Sequence, residues 1–180
     1  MSVWKRIFGG GDGSSGSGGD AGDTETVRRI AARLDGLPAE RRQFVAAFAY
    51  VLVRVAQADL RIEEAESRTM ERAVAETSGL GGAEAALAVE IAKSQSRLSG
   101  GTDNYTVTRE FRRVSTHEQR LALLDCLYAV AAADDTVTNL ESTEIAAIAE
   151  ELGLAQVDVT AIRSRYRDKL GVLRRGQTPS

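Results

Sequence analysis

With one cysteine, Cys126, and one histidine, His117, in 180 residues, the chain can form no intramolecular disulfide and no zinc site built on Cys or paired His ligands. No apolar run approaches the ~18 residues of a membrane span and no signal-peptide core is seen, so a cytoplasmic location is expected. A net charge of −3 argues against a general nucleic-acid binder.

Residues 1–8, Met-Ser-Val-Trp-Lys-Arg-Ile-Phe, form a short aromatic-basic peptide. Val3, Trp4, Ile7 and Phe8 share a helical face beside Lys5 and Arg6, which suits weak contact with a partner or a membrane surface. A frayed terminus is the plainer alternative. Residues 9–22 hold eight of the 17 glycines with Ser, Asp and one Ala. That composition cannot bury apolar surface, so it reads as a flexible linker with a span of roughly 20 Å. Residues 23–175 are expected to form one helical domain and 176–180 a disordered tail. A body of that size buries roughly 70% of its unfolded surface and needs no covalent staple.

From Asp23 the apolar spacing is helical. Val27, Ile30 and Leu34 precede a stop at Gly36, and Pro38 suits a first helical position. Phe44, Phe48, Val51, Leu52 and Val55 mark the next helix, which breaks at Asp59. Met70, Val74 and Thr77 lead to a left-handed cap at Gly79, and Leu87, Ile91 and Leu98 to Gly100-Gly101. Val107, Phe111 and Val114 suggest a short helix. Ser115 to Glu118 fits a capping box before Leu121, Leu124 and Leu127. A second box at Thr138 to Glu141 opens a helix that ends at Gly153, with Leu154 placed for a Schellman contact. A last helix carries Val159, Ile162, Tyr166, Leu170 and Leu173. No segment alternates long enough for a strand. The expected fold is all-α, a bundle of seven or eight helices.

The strongest signal is a duplication. Ala58-Asp59-Leu60-Arg61-Ile62-Glu63-Glu64-Ala65-Glu66 matches Ala133-Asp134-Asp135-Thr136-Val137-Thr138-Asn139-Leu140-Glu141 at an offset of 75. Each follows an apolar helix and precedes one closed by Gly-Leu. The unit is a helix–loop–helix used twice, which implies pseudo-two-fold packing.

The run Ala131-Ala132-Ala133-Asp134-Asp135-Thr136-Val137, with Glu141 and Leu152-Gly153-Leu154, resembles the TerB-like family of the tellurite-resistance protein TerB and the N-terminal region of the co-chaperone DjlA. The likeness covers about residues 40–165. It implies an all-helical domain, a divalent-metal site built from acids, and a non-enzymatic role in metal or oxyanion stress through protein partners. The family's Gly after Asp is replaced by Leu60 and Asp135.

Charge density itself allows a cation site. Asp59, Glu63, Glu64 and Glu66 crowd one loop, and Asp134, Asp135, Glu141 and Glu144 the other. If the pseudo-axis brings the loops together, Asp59, Glu63, Glu66, Asp134, Asp135 and Glu141 could share one ion. Hard oxygen donors select Ca²⁺ or Mg²⁺. The spacing does not fit an EF-hand. The competing reading is structural, with Glu141 closing a capping box and Asp59 and Asp134 forming Asx-turns. Arg163, Arg165, Arg167, Lys169, Arg174 and Arg175 form a cationic C-terminal stretch, read as a solvated helix end. His117 and Cys126 read as structural. Two functions follow: an acidic, cation-binding adaptor in tellurite or metal stress, or an interaction module without an ion site that its N-terminal peptide recruits. No catalytic constellation is seen, so no enzyme is expected.

Overall fold

The computed structural model describes residues 21–58, 64–96, 104–134 and 136–170. Over these it contains eight α-helices: α1 (Ala21–Asp35), α2 (Ala39–Ala58), α3 (Glu64–Thr77), α4 (Gly82–Ser96), α5 (Asn104–Val114), α6 (His117–Ala131), α7 (Asn139–Glu151) and α8 (Gln156–Arg165). Short 3-10 turns at Ala132–Asp134 and Arg167–Lys169 follow α6 and α8. The expected all-α bundle is the observed fold. Helix begins at Ala21, two residues before the expected domain start, so the linker's last two residues are helical.

The repeat is longer than its sequence signature. Helices α2, α3 and α4 form one three-helix unit, and α6, α7 and α8 another. α3 and α7 begin 75 residues apart at Glu64 and Asn139, and α4 and α8 begin 74 apart at Gly82 and Gln156. The units pack reciprocally: α2 lies on α7, and α6 lies on α3. That exchange of equivalent contacts is a pseudo-two-fold relation. Outside the units, α1 packs on α4, and α5 packs on α2 and α7.

The core is one cluster spanning both units. Ala46, Ala47 and Ala49 of α2 and Ala85, Ala88 and Ala92 of α4 are buried, and such small side chains let helix backbones come close. Phe111 joins α5 to α2, its ring centroid 5.2 Å from Phe44 and 6.2 Å from Phe48. Aromatic pairs at such separations add to the burial they bring.

The glycines that follow α3 and α7 are left-handed, Gly79 with φ 71° and Gly153 with φ 68°. At Gly153 the Schellman pattern is complete: Leu154 N–H donates to Ala149 O at 3.1 Å and Gly153 N–H to Glu150 O at 2.9 Å. The capping box of α6 falls one residue later than expected. Thr116 is the cap, its hydroxyl accepting from Gln119 N–H while Gln119 Oε1 accepts from Thr116 N–H. Ser115 instead donates to Phe111 O at 2.5 Å, finishing α5.

The final helix is also corrected. α8 stops at Arg165, and after the second 3-10 turn Leu170 forms a parallel β-bridge with Val137. Leu170 is buried by that long-range contact, not by continuing a helical face. Among the described residues no helix is long and apolar enough to cross a membrane.

Candidate functional site

The second acidic loop runs from the turn Ala132–Asp134 to the start of α7, and it is held from both sides. Val137 N–H donates to Lys169 O at 2.7 Å, and Lys169 Nζ donates to Ala132 O at 3.2 Å. Val137 itself is fully buried. The turn also packs against α3. The element carrying Asp134 therefore lies against the helix whose first turn carries Glu66.

Glu141 is committed to helix capping. Its carboxylate accepts from Thr138 N–H at 2.8 Å, and its own N–H donates to Thr138 Oγ1 at 3.2 Å. Glu141 is only 8% exposed. The capping box is as expected from sequence, and it engages one oxygen, Oε2, of this carboxylate. The backbones of Glu66 and Asp134 lie in α3 and the 3-10 turn, while their side chains lie outside the described residues. Asp59, Glu63 and Asp135 lie outside them too, as do Trp4, Lys5, Arg6, Ile7 and Phe8. Among the described residues no three His, Cys, Asp or Glu side chains are placed to hold a metal ion.

Glu144, counted with the acids of the second loop, belongs to a different cluster. Arg54 of α2 donates from Nε to Glu144 Oε1 at 2.7 Å and from Nη1 to Glu151 Oε2 at 2.6 Å. Nη1 also donates to Thr108 Oγ1 of α5 at 2.6 Å. The Arg54 side chain is 5% exposed, against 29% for Glu144 and 18% for Glu151. Burial alone would lower the guanidinium's pKa, but Glu151 and Glu144 outweigh it, and Arg54 stays charged. One residue thus ties α2, α5 and α7 together. The signal in the sequence is a lone base inside Val51-Leu52-Val53-Arg54-Val55, since a cation in an apolar helical run must find buried partners.

The lone cysteine is buried and the lone histidine lies at the surface. Burial pushes the Cys126 thiol up to about 12, with a hydrogen bond to Thr77 opposing it in part. A thiol so placed is not a nucleophilic thiolate near neutral pH. Tyr166 stacks on Tyr128 at 5.6 Å and donates its hydroxyl to Asp125 Oδ1 at 2.9 Å. Burial and then that bond raise its pKa well above the tyrosine range. His117 Nε2 stands 3.6 Å from Asp158 Oδ2 at the surface.

Between α6 and α8 lies a groove of about 320 Å³, lined by Leu121, Ala122, Asp125, Asp158, Ala161, Ile162 and Arg165 and closed at its base by Thr77.

Comparison with curated proteins and with solved structures gave no match. The family model described as "Tellurite resistance protein TerB" matches residues 45–164. That span begins inside α2 and ends inside α8, so it covers both units of the duplicated bundle. The chain belongs to the TerB family.

Proposed function

We propose that the protein is a non-enzymatic adaptor in a tellurite or metal stress response, engaging protein partners and responding to Ca²⁺ or Mg²⁺. The observation that carries this reading is the packing of the Asp134 turn against α3 within a TerB-family body. That packing sets the Asp134 turn against the helix that follows the first acidic stretch, which supports an ion shared between the two. Asp59, Glu63, Glu66, Asp134 and Asp135 are the residues that would hold the ion. Such an ion, held by hard oxygen donors, would cross-link two loops that otherwise repel each other. Glu141 fits a different part, fixing the first turn of α7 beneath the loop. The buried, protonated Cys126 supports a role without covalent chemistry.

Calorimetric titration of the full chain with Ca²⁺ and Mg²⁺ tests the ion. Heat that disappears with Asp134→Ala is the expected result. No heat with either ion removes the cation from the proposal and leaves the plain interaction module. Growth of a deletion strain on tellurite, with and without the restored gene, tests the stress role.

A further inference from the structure

Lys169 touches both ends of the second acidic loop. Its backbone carbonyl accepts from Val137 N–H at 2.7 Å, and its ammonium donates to Ala132 O at 3.2 Å. Ala132 opens the turn that carries Asp134, and Val137 stands two residues before α7. The next residue, Leu170, completes the parallel bridge to Val137 and belongs to the core cluster. One dipeptide therefore straddles the stretch of chain that contains Asp134 and Asp135.

The dipeptide extends from a fixed point. Tyr166 donates its hydroxyl to the carbonyl and to the carboxylate of Asp125, at 3.1 and 2.9 Å, and stacks on Tyr128. Past that anchor Arg167 and Asp168 are exposed, and among the described residues after Tyr166 Leu170 alone is buried. The family match ends at residue 164, before this segment.

The helices on either side of the loop have supports of their own. Ala132 N–H donates to Tyr128 O at the end of α6, and Thr138 and Glu141 close the start of α7. None of these contacts involves the C-terminal segment. A chain end held by one buried side chain opens far more often than the core beneath it, because stability is local and terminal segments are the first to detach. Detachment of Lys169 and Leu170 would thus leave α6 and α7 in place and remove what joins the two ends of the loop.

We propose that Lys169 and Leu170 form a latch on the second acidic loop, and that its release loosens the loop while both units stay folded. Seated, the latch fixes Ala132 and Val137 relative to each other. Released, it leaves the intervening acids without a fixed frame. The C-terminal segment is then the control on this loop, and the inference rests on the adaptor reading for the loop's task.

The test is limited digestion of the full-length protein with Asp-N protease, which cuts on the amino side of aspartate, without added Ca²⁺ or Mg²⁺. Cuts before Asp134 and Asp135 are followed by mass. Leu170→Ala should speed them at least about tenfold. Lys169→Met keeps the carbonyl and removes the ammonium, and should speed them about threefold. Ile91→Ala is the control. It lies in α4, which packs on α1, α2 and α3, so it lowers global stability and should leave the loop rate within about twofold, since local opening does not pass through global unfolding. If either latch variant is cut at the wild-type rate, the latch is overturned. It is overturned equally if Ile91→Ala speeds the loop cuts as much as Leu170→Ala does, because the opening is then global. Should Leu170→Ala unfold outright, Lys169→Met alone decides. Failure here with the cation heat intact rejects the latch and not the cation, and a latch that passes in a protein without cation heat does the reverse.

Discussion

Arg54 donates to both carboxylate oxygens of Glu151, at 2.6 and 3.2 Å, fastening α2 to the last turn of α7. A bidentate guanidinium–carboxylate pair fixes orientation as well as distance. Removing one partner of a buried pair leaves the other charge without its compensation, a loss of 3–5 kcal/mol in well-buried cases. Glu144 and Glu151 keep some contact with water, so the lower end applies here. Arg54→Ala is expected to cost about 3 kcal/mol in urea unfolding. Arg54→Lys is expected to recover part of that, because one ammonium cannot serve Thr108, Glu144 and Glu151 in the guanidinium's geometry. An Arg54→Ala protein as stable as wild type would show that the cluster contributes nothing net.

The two capping boxes make a matched comparison. α6 uses Thr116 with Gln119, and α7 uses Thr138 with Glu141. Since Gln already fills this role in α6, Glu141→Gln should keep the cap and shift stability by less than about 0.5 kcal/mol. Thr138→Ala should cost about 1 kcal/mol. If Glu141 only caps, Glu141→Gln also leaves any calorimetric cation signal unchanged. Loss of that signal in this variant would make Glu141 a ligand.

These boxes show how much the sequence made legible. Thr138 and Glu141 stand at one unambiguous spacing, and the box formed there. At the other site Ser115-Thr116 and Glu118-Gln119 fit the pattern in two registers, and local rules do not choose between them. The structure does, because Ser115 is used to end α5. Val159, Ile162, Tyr166 and Leu170 keep helical spacing, yet α8 stops at Arg165. Leu170 is buried by Val137, 33 positions away, and no local signal announces that contact. The third helix of each unit escaped the repeat for a related reason. α4 is apolar and wedged against both α2 and α3, whereas α8 is polar, packs chiefly on α6 and is exposed on its outer side, so sequence and packing diverged together. Of the candidate cation site, only the capping role of Glu141 could be read and then located.

Gly79 and Gly153 separate backbone conformation from crowding. Both have positive φ, but a Cβ at Gly79 would meet nothing within 4 Å, while one at Gly153 would lie 2.7 Å from the Arg112 guanidinium. Each alanine substitution should carry the left-handed cost of roughly 1–2 kcal/mol. Arg112 is an exposed, flexible side chain and can swing away, so Gly153→Ala should exceed Gly79→Ala by only a few tenths of a kcal/mol. Thermal unfolding of both variants checks this. A much larger gap would mean that Arg112 is held in place over the end of α7.

Acid stability should depend on Glu84. The Arg41 hydrogen bonds, at 2.5 and 2.6 Å, hold its carboxyl below the usual range, helped by the Gly81 N–H and opposed by burial. A folded-state pKa below the unfolded value means the folded protein binds fewer protons in that interval. The stabilisation is therefore fully present above the unfolded glutamate value of about 4.3. It is lost as pH falls through the lower folded value. Arg41→Met should flatten this part of the acid limb and leave the pH 6–7 difference constant.

At the alkaline end the sign reverses through Cys126. Its thiol is pushed up to about 12, while an unfolded cysteine ionises near 8.5. Between those values the unfolded chain releases a proton that the folded chain keeps, so stability falls as pH rises above about 8.5. Cys126→Ser removes the ionisation and should make stability less dependent on pH between 8.5 and 10, while costing stability at every pH by placing a hydroxyl in an apolar site. Alkylation offers an independent check. Iodoacetamide at pH 8 should label native Cys126 at least about a hundredfold more slowly than the urea-unfolded chain, because thiolate fraction and access both fall on burial. Equal rates would mean that the packing around Thr77 and Asp125 opens readily, and the groove that these residues line would then be a mobile surface and not a preformed one.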